Sequence, residues 1–329
     1  MNDSVIAAPP VRLPQLGLLR FSGTDAVPFL QGQVSNDVSR LARGTTVLCA
    51  CSTPQGRVFA VLTLVPHSTG ILAILPAELA APTAKRLGRF VLRSKVRIED
   101  LSAAFCVAGL QGSAALAAAG PALAPLQPPA AAGDYRESQG IGVARLAGAG
   151  PRFWIVGPAG QGPGPDAASA AAWNAWRLAD IRAGLPQVYA GNSEEFVAQM
   201  LNLDLVDGIS FTKGCYTGQE IIARTQHLGR IKRRMFRVAV AGAAAASADL
   251  AIGTTVRLAD GRSGRICEWA RAGDGLEALA VLPLEAAEGG AGPTATAGAA
   301  GVEATLLDLP YSLSAGANST RTLSSSSTS

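Results

Sequence analysis

A single cysteine in an unusual setting is the first place where this sequence offers chemistry. In the run Lys213-Gly214-Cys215-Tyr216-Thr217-Gly218-Gln219-Glu220, glycines stand one residue before the cysteine and three residues after it. Glycine lets a backbone approach a ligand and leaves a neighbouring thiol little covered. Lys213, and Arg224 further on, favour the thiolate by their charge, and the thiolate is the form that attacks disulfides and binds metal ions. Gln219 and Glu220 can orient such a loop through hydrogen bonds, and Tyr216 lies at its centre. Free cysteines are most often packing residues, and the other four fit that role. Cys49 and Cys51 repeat on one face of an apolar strand, while Cys106 and Cys267 each sit in an apolar strand of their own.

Several other chemistries lack their residues. There is no C-x-x-C, and the two histidines, His67 and His227, are far apart, so no pre-built metal site is expected. Residues 214–218 are not a nucleophile elbow, because Tyr216 holds the central position. The glycines of 140–150 lack the strand–turn–helix context of a dinucleotide fingerprint, and there is no Walker A sequence.

The 329 residues suffice for two or three domains. Although 48% of them are hydrophobic, the longest apolar runs are strand-sized, so no membrane span is expected. The first thirteen residues show no basic patch followed by an apolar block, and a cytoplasmic location is the expectation. An odd count of five cysteines argues against a disulfide framework. The net charge of +4 is unevenly spread: from Lys213 to Arg237 there are seven cations and one acid, a net of +6, so the rest of the chain sums to −2. That stretch reads either as a solvated strand end or as a docking surface for a polyanion.

The elements that must position the cysteine form an α+β pattern. Strands are predicted at 16–21, 47–51, 57–65 and 71–75, with a helix across 25–31 capped by Thr24 and another across 77–93. Further strands follow at 96–98, 105–109 and 153–156, and a Gly/Pro linker at 158–165. A helix over 167–183 carries Trp173 and Trp176 and is closed by Gly184 and Pro186. Strands at 235–240, 254–258, 263–268 and 276–282 predict a small antiparallel barrel. The domains therefore run 11–157 (an N-terminal α+β unit), 158–231 (helix and cysteine segment, packed on the first unit) and 232–308 (barrel). Residues 309–329, rich in Ser and Thr, are an expected disordered tail.

K-G-C-Y-T-G-Q-E resembles the motif of the YgfZ family, relatives of the glycine-cleavage aminomethyltransferases. W-R-L-A-D-I-R-A-G-L-P (176–186), F-L-Q-G-Q-V-S-N-D-V (29–38), P-Q-G-R (54–57) and the basic stretch 227–234 extend the likeness over residues 16–284. The resemblance implies a ring of three subdomains around a channel for tetrahydrofolate, with Trp176 and Arg182 lining it. It also implies support of iron–sulfur client enzymes, some of them tRNA-modifying, through Cys215 tuned by Lys213, in transient contact with a cluster. Two positions depart from the aminomethyltransferase relatives: Ala60-Val61 stands where they carry an Asp pair, and Arg182 where they carry Glu. A carboxylate would assist proton transfer at a folate-bound aminomethyl group, so an accessory factor is expected rather than an enzyme of that kind. Leu16 stands where some YgfZ members carry a tryptophan.

Two other classes stay open at this point, a folate-dependent transferase or demethylase and an RNA-binding module. The basic stretch lacks the interleaved aromatics that single-strand binding uses, and direct nucleic-acid binding is not expected.

Overall fold

Long apolar runs that do not alternate predict strands buried on both faces, and β4 (Val58–His67) is one. In the computed structural model, which describes residues 10–112, 123, 126–161, 170–227, 231–240, 250–285 and 302–313, it lies in an antiparallel sheet of order β3-β4-β5-β2-β6. The other strands of that sheet are β2 (Leu16–Ser22), β3 (Val47–Ser52), β5 (Gly70–Pro76) and β6 (Arg97–Asp100). Side chains alternate across a strand, and so does their destination. Leu19, Phe21, Ala73 and Leu75 join the large core beneath α1 (Ala26–Gln31) and α2 (Ala77–Gly88), whereas Leu18, Leu72 and Ile74 join a second core.

That second core is shared with another antiparallel sheet, formed by β1 (Val11–Arg12), β7 (Phe105–Gln111), β8 (Tyr135–Ser138), β9 (Ile141–Leu146) and β10 (Arg152–Pro158). Its order is β1-β7-β10-β9-β8. The expected unit 11–157 thus holds two sheets. The β8–β9 hairpin went unread in the sequence because its signal is one dipeptide, Gln139-Gly140, whose φ angles of +52° and +76° suit a tight primed turn.

Helix α3 (Ala170–Arg182) follows and stops at Gly184, whose φ of +65° reverses the chain. Helix α4 (Gln219–His227) leads out of the cysteine loop. The chain then closes a five-stranded barrel from β11 (Arg233–Val240), β12 (Thr255–Leu258), β13 (Ser263–Ala272), β14 (Gly275–Pro283) and β15 (Val302–Leu307). Four of its ladders are antiparallel, and β12 with β15 is parallel. A bulge interrupts β13 between Ile266 and Glu268.

Three local expectations need correction. Asp25, not Thr24, is the N-cap of α1, and its carboxylate accepts from the Lys95 amide at 2.7 Å instead of capping its own helix. Helix α2 ends at Gly88 rather than at 93, because the chain turns there and Leu92 takes a positive φ of +41°. The expected tail from 309 begins with a docked segment: Tyr311 donates to the Gly184 carbonyl at 2.7 Å. Residues 314–329, residues 162–165 of the linker and most of residues 114–132, which are rich in Ala and Pro, lie outside the described residues.

Candidate functional site

The cysteine loop is exposed at its tip and locked at its base. Cys215 is exposed, whereas Cys49, Cys51 and Cys267 are buried. Burial pushes the Cys49 thiol up and the Cys51 thiol to about 12, so neither is a nucleophile. Cys106, expected in a core, is only partly covered. Gly214 has open space where a Cβ would stand. Gly218 does not: its φ is +84°, and a Cβ there would stand 2.7 Å from the Thr53 carbonyl oxygen and 3.2 Å from the Gly56 Cα. Gly56, at φ +71°, in turn has Ile221 of α4 where its own Cβ would be. The P-Q-G-R turn and the cysteine loop thus interlock through two glycines.

Lys213 faces inward. Its ammonium donates to the carbonyls of Gln31, Val34 and Asn36 at 2.7, 2.7 and 2.9 Å, using all three of its donors. It also stands 4.9 Å from the centre of the Tyr216 ring, which is itself buried. Desolvation pushes its pKa down to about 8. Lys213 therefore pins the loop to the segment after α1. The Gln219 side-chain oxygen accepts from the Tyr216 amide within the loop at 3.2 Å. Glu220 is exposed in the first turn of α4, where a negative charge suits the helix dipole.

The basic stretch is less available than its composition suggests. Arg234 is buried and forms a two-pronged ion pair with Asp204, both contacts at 2.8 Å. Arg237 pairs with Glu277 at 3.0 Å. Arg224, Lys232 and Arg233 remain exposed.

A cavity of about 320 Å³ lies where the two sheets, α3 and the barrel meet. Trp154 of β10, Trp173 and Trp176 of α3, Tyr189 and Glu268 of β13 line it. Trp176 is 3% exposed, with its ring filling the place of a Gly109 side chain and the Arg152 guanidinium 4.5 Å from the centre of its ring. Arg182 does not line the cavity. It turns to the barrel and binds Glu277 at 2.7 Å, which holds the Glu277 carboxyl below its usual range against the opposing effect of burial. Ala60 and Val61 are buried in the large core, and Leu16 lines the cavity wall. Cys215 is not among the lining residues, so the thiol and the cavity are separate features.

Sequence reading missed Glu268, Tyr189 and Arg177. Tyr189 donates to Glu268 Oε1 at 2.6 Å and the Arg177 Nε–H donates to the same oxygen at 3.2 Å. These residues come from three separate stretches with no shared local pattern. Among the described residues there is no cluster of metal-ligating side chains, and no helix is long and apolar enough to cross a membrane.

Two antiparallel sheet units and a closed, mostly antiparallel barrel arranged around a common cavity define an aminomethyltransferase-like fold. The glycine cleavage system aminomethyltransferase T of Bartonella henselae superposes with a TM-score of 0.61, covering 83% of this chain and 77% of that one at 15% identity. No family model matches the chain. Among curated proteins, the tRNA-modifying protein YgfZ of Colwellia psychrerythraea is 31% identical over 237 residues, 69% of this chain and 70% of that protein. The YgfZ of Yersinia pestis is 32% identical over 234 residues, 70% of each, and that of Pectobacterium carotovorum 32% over 236 residues. The chain belongs to the YgfZ family.

Proposed function

We propose that this protein binds a reduced folate in the three-way cavity and supports iron–sulfur enzymes, including tRNA-modifying ones, through Cys215. The observation that carries the folate reading is the lining of the cavity. Trp154 Nε1, Trp176 Nε1 and Glu268 Oε2 are buried polar atoms on its wall with no protein partner. Buried polar groups are nearly always satisfied, so two donors and one acceptor on residues that line one cavity fit a planar, heteroatom-rich ligand such as a pterin. The volume is at the lower end for small-molecule sites and suits a bicyclic ring. Arg145, also on the wall, supplies a cation for a carboxylate of a p-aminobenzoyl-glutamate tail, whereas Arg40 there is already paired with Asp207 at 2.6 Å.

Bound folate would supply a carrier for one-carbon groups. The chain's own residues bind and orient it, because the positions of the lost acids, Ala60 and Val61, are apolar core and Arg182 is engaged elsewhere. An accessory role therefore fits better than one-carbon transfer. The exposed thiol suits brief ligation: the sulfur gives its proton to solvent and a lone pair to iron. Clusters are normally held by four ligands, so the client enzyme keeps the remaining ones.

The test is complementation. In cells lacking the protein, wild type is expected to restore iron–sulfur enzyme activity and tRNA modification, and Cys215→Ala to restore neither. Full rescue by Cys215→Ala would remove the thiol from the mechanism, and calorimetry showing no heat with any reduced folate would remove the ligand.

A further inference from the structure

Glu268 reaches the cavity only because of the bulge in β13. Ile266 points into the barrel core and pairs with Ala280, which also points inward. Strict alternation would send Glu268 inward as well. Instead Cys267 is the extra residue: Glu268 pairs with Leu279, which, like Cys267, belongs to the large core outside the barrel. Alternation resumes beyond it, with Trp269 against the barrel core and Ala270 outside. Bulges of this kind re-aim a side chain next to functional sites. Here the bulge spares the barrel a buried carboxylate and delivers that carboxylate to the cavity wall.

The carboxylate is held through one oxygen only. Oε1 takes both protein donors, the Tyr189 hydroxyl and the Arg177 Nε–H. Arg177 is fixed in turn by aromatic rings, with its guanidinium 5.5 to 6.0 Å from the centres of Trp269, Tyr189 and Trp173. Oε2 is buried and has no protein partner. Burial pushes the carboxyl above its usual range and the Arg177 charge opposes that shift, so a further donor at Oε2 would relieve a group that is costly to keep ionised.

We propose, on the basis of the folate reading, that Glu268 recognises the pterin ring, its free oxygen accepting from the 2-amino edge of the pyrimidinone. Arg182, which stands where the aminomethyltransferase relatives carry Glu, is bound to Glu277 and does not line the cavity, so the carboxylate on this wall comes from the barrel. The residue that selects the ligand thus belongs to the domain farthest along the chain, and binding ties the barrel to the two sheets.

The experiment is a calorimetric titration of the full chain and of Glu268→Gln with 5-formyltetrahydrofolate, its 2-desamino analogue and p-aminobenzoyl-glutamate. Wild type is expected to prefer the parent folate to the desamino analogue by about tenfold or more, the scale of one hydrogen bond to a charged group. Glu268→Gln is expected to lose that preference while binding p-aminobenzoyl-glutamate as wild type does. The analogue arm on the wild-type protein keeps the test decisive should the variant fail to fold. Folate binding with no preference for the 2-amino group overturns the role of Glu268 and leaves the folate reading intact. No binding of any folate by wild type overturns both.

Discussion

The loop around Cys215 draws its thiol and its glycines from eight consecutive residues, whereas the cavity draws its walls from both sheets, a helix and a barrel strand. The loop presents its sulfur to solvent on a rigid base; the cavity hides its carboxylate and indoles behind a network of ion pairs and rings. The difference teaches how much sequence separation each kind of chemistry tolerates. A thiol that visits partners needs exposure and one fixed turn, both of which are local. A pocket that discriminates a ligand needs groups converging from several directions, which only packing can arrange.

Substitutions should therefore act differently in the two regions. The largest effect is expected for Trp176→Ala. Trp176 is both cavity wall and core, so truncation should cost about 3–5 kcal/mol in urea unfolding and weaken reduced-folate binding in calorimetry. Unchanged stability would show that the cavity is less tightly built than its burial implies.

Gly218→Val should come next, at about 3 kcal/mol, because a β-branched residue is strained at φ +84° and its Cβ meets the Thr53 carbonyl. Gly214→Ala, four residues away in open space, should stay within about 0.5 kcal/mol. Equal losses in chemical denaturation would break the distinction between the locked base of the loop and its free tip.

Cys215→Ser is expected to cost about 1 kcal/mol or less, as for most exposed positions, with folate affinity unchanged. Alkylation of the native protein, mapped by mass spectrometry, should mark Cys215 first and the partly covered Cys106 second, with Cys49, Cys51 and Cys267 protected. A drop in folate affinity for Cys215→Ser would join the two regions that the structure keeps apart.

The smallest effect concerns Lys213. Its folded pKa of about 8 lies below the ordinary 10.5 because the ammonium is desolvated. Between those values the unfolded chain holds a proton that the folded chain has shed, so stability rises with pH across that window. Unfolding midpoints of wild type and Lys213→Met from pH 7.5 to 10.5 should show a positive slope for wild type relative to the variant. Parallel profiles would mean that the three carbonyls hold the proton fully.

Local chemistry was legible in the residues themselves. The octamer around Cys215 marked the exposed thiol, the apolar run within 57–65 marked a strand, and the evenly spaced strands after 232 marked the barrel. Each of these follows from properties of neighbouring residues: glycine's freedom at positive φ, apolar continuity and turn spacing. Charge was legible only as composition. Lys213 and Arg234 read as free cations, yet one is caged by three carbonyls and the other is paired with Asp204 in the interior. Desolvation and partners decide what a charge does, and neither is written in a neighbouring residue. Glu268 is the clearest case. Alternation along its strand assigns it to the barrel core, and a one-residue bulge, set by pairing with β14, turns it to the cavity instead. The sequence by itself determined which residues could react and which strands would form. Which of those residues face one another was decided by register and packing across more than 200 residues of chain, because a contact between distant segments depends on every element that brings them together.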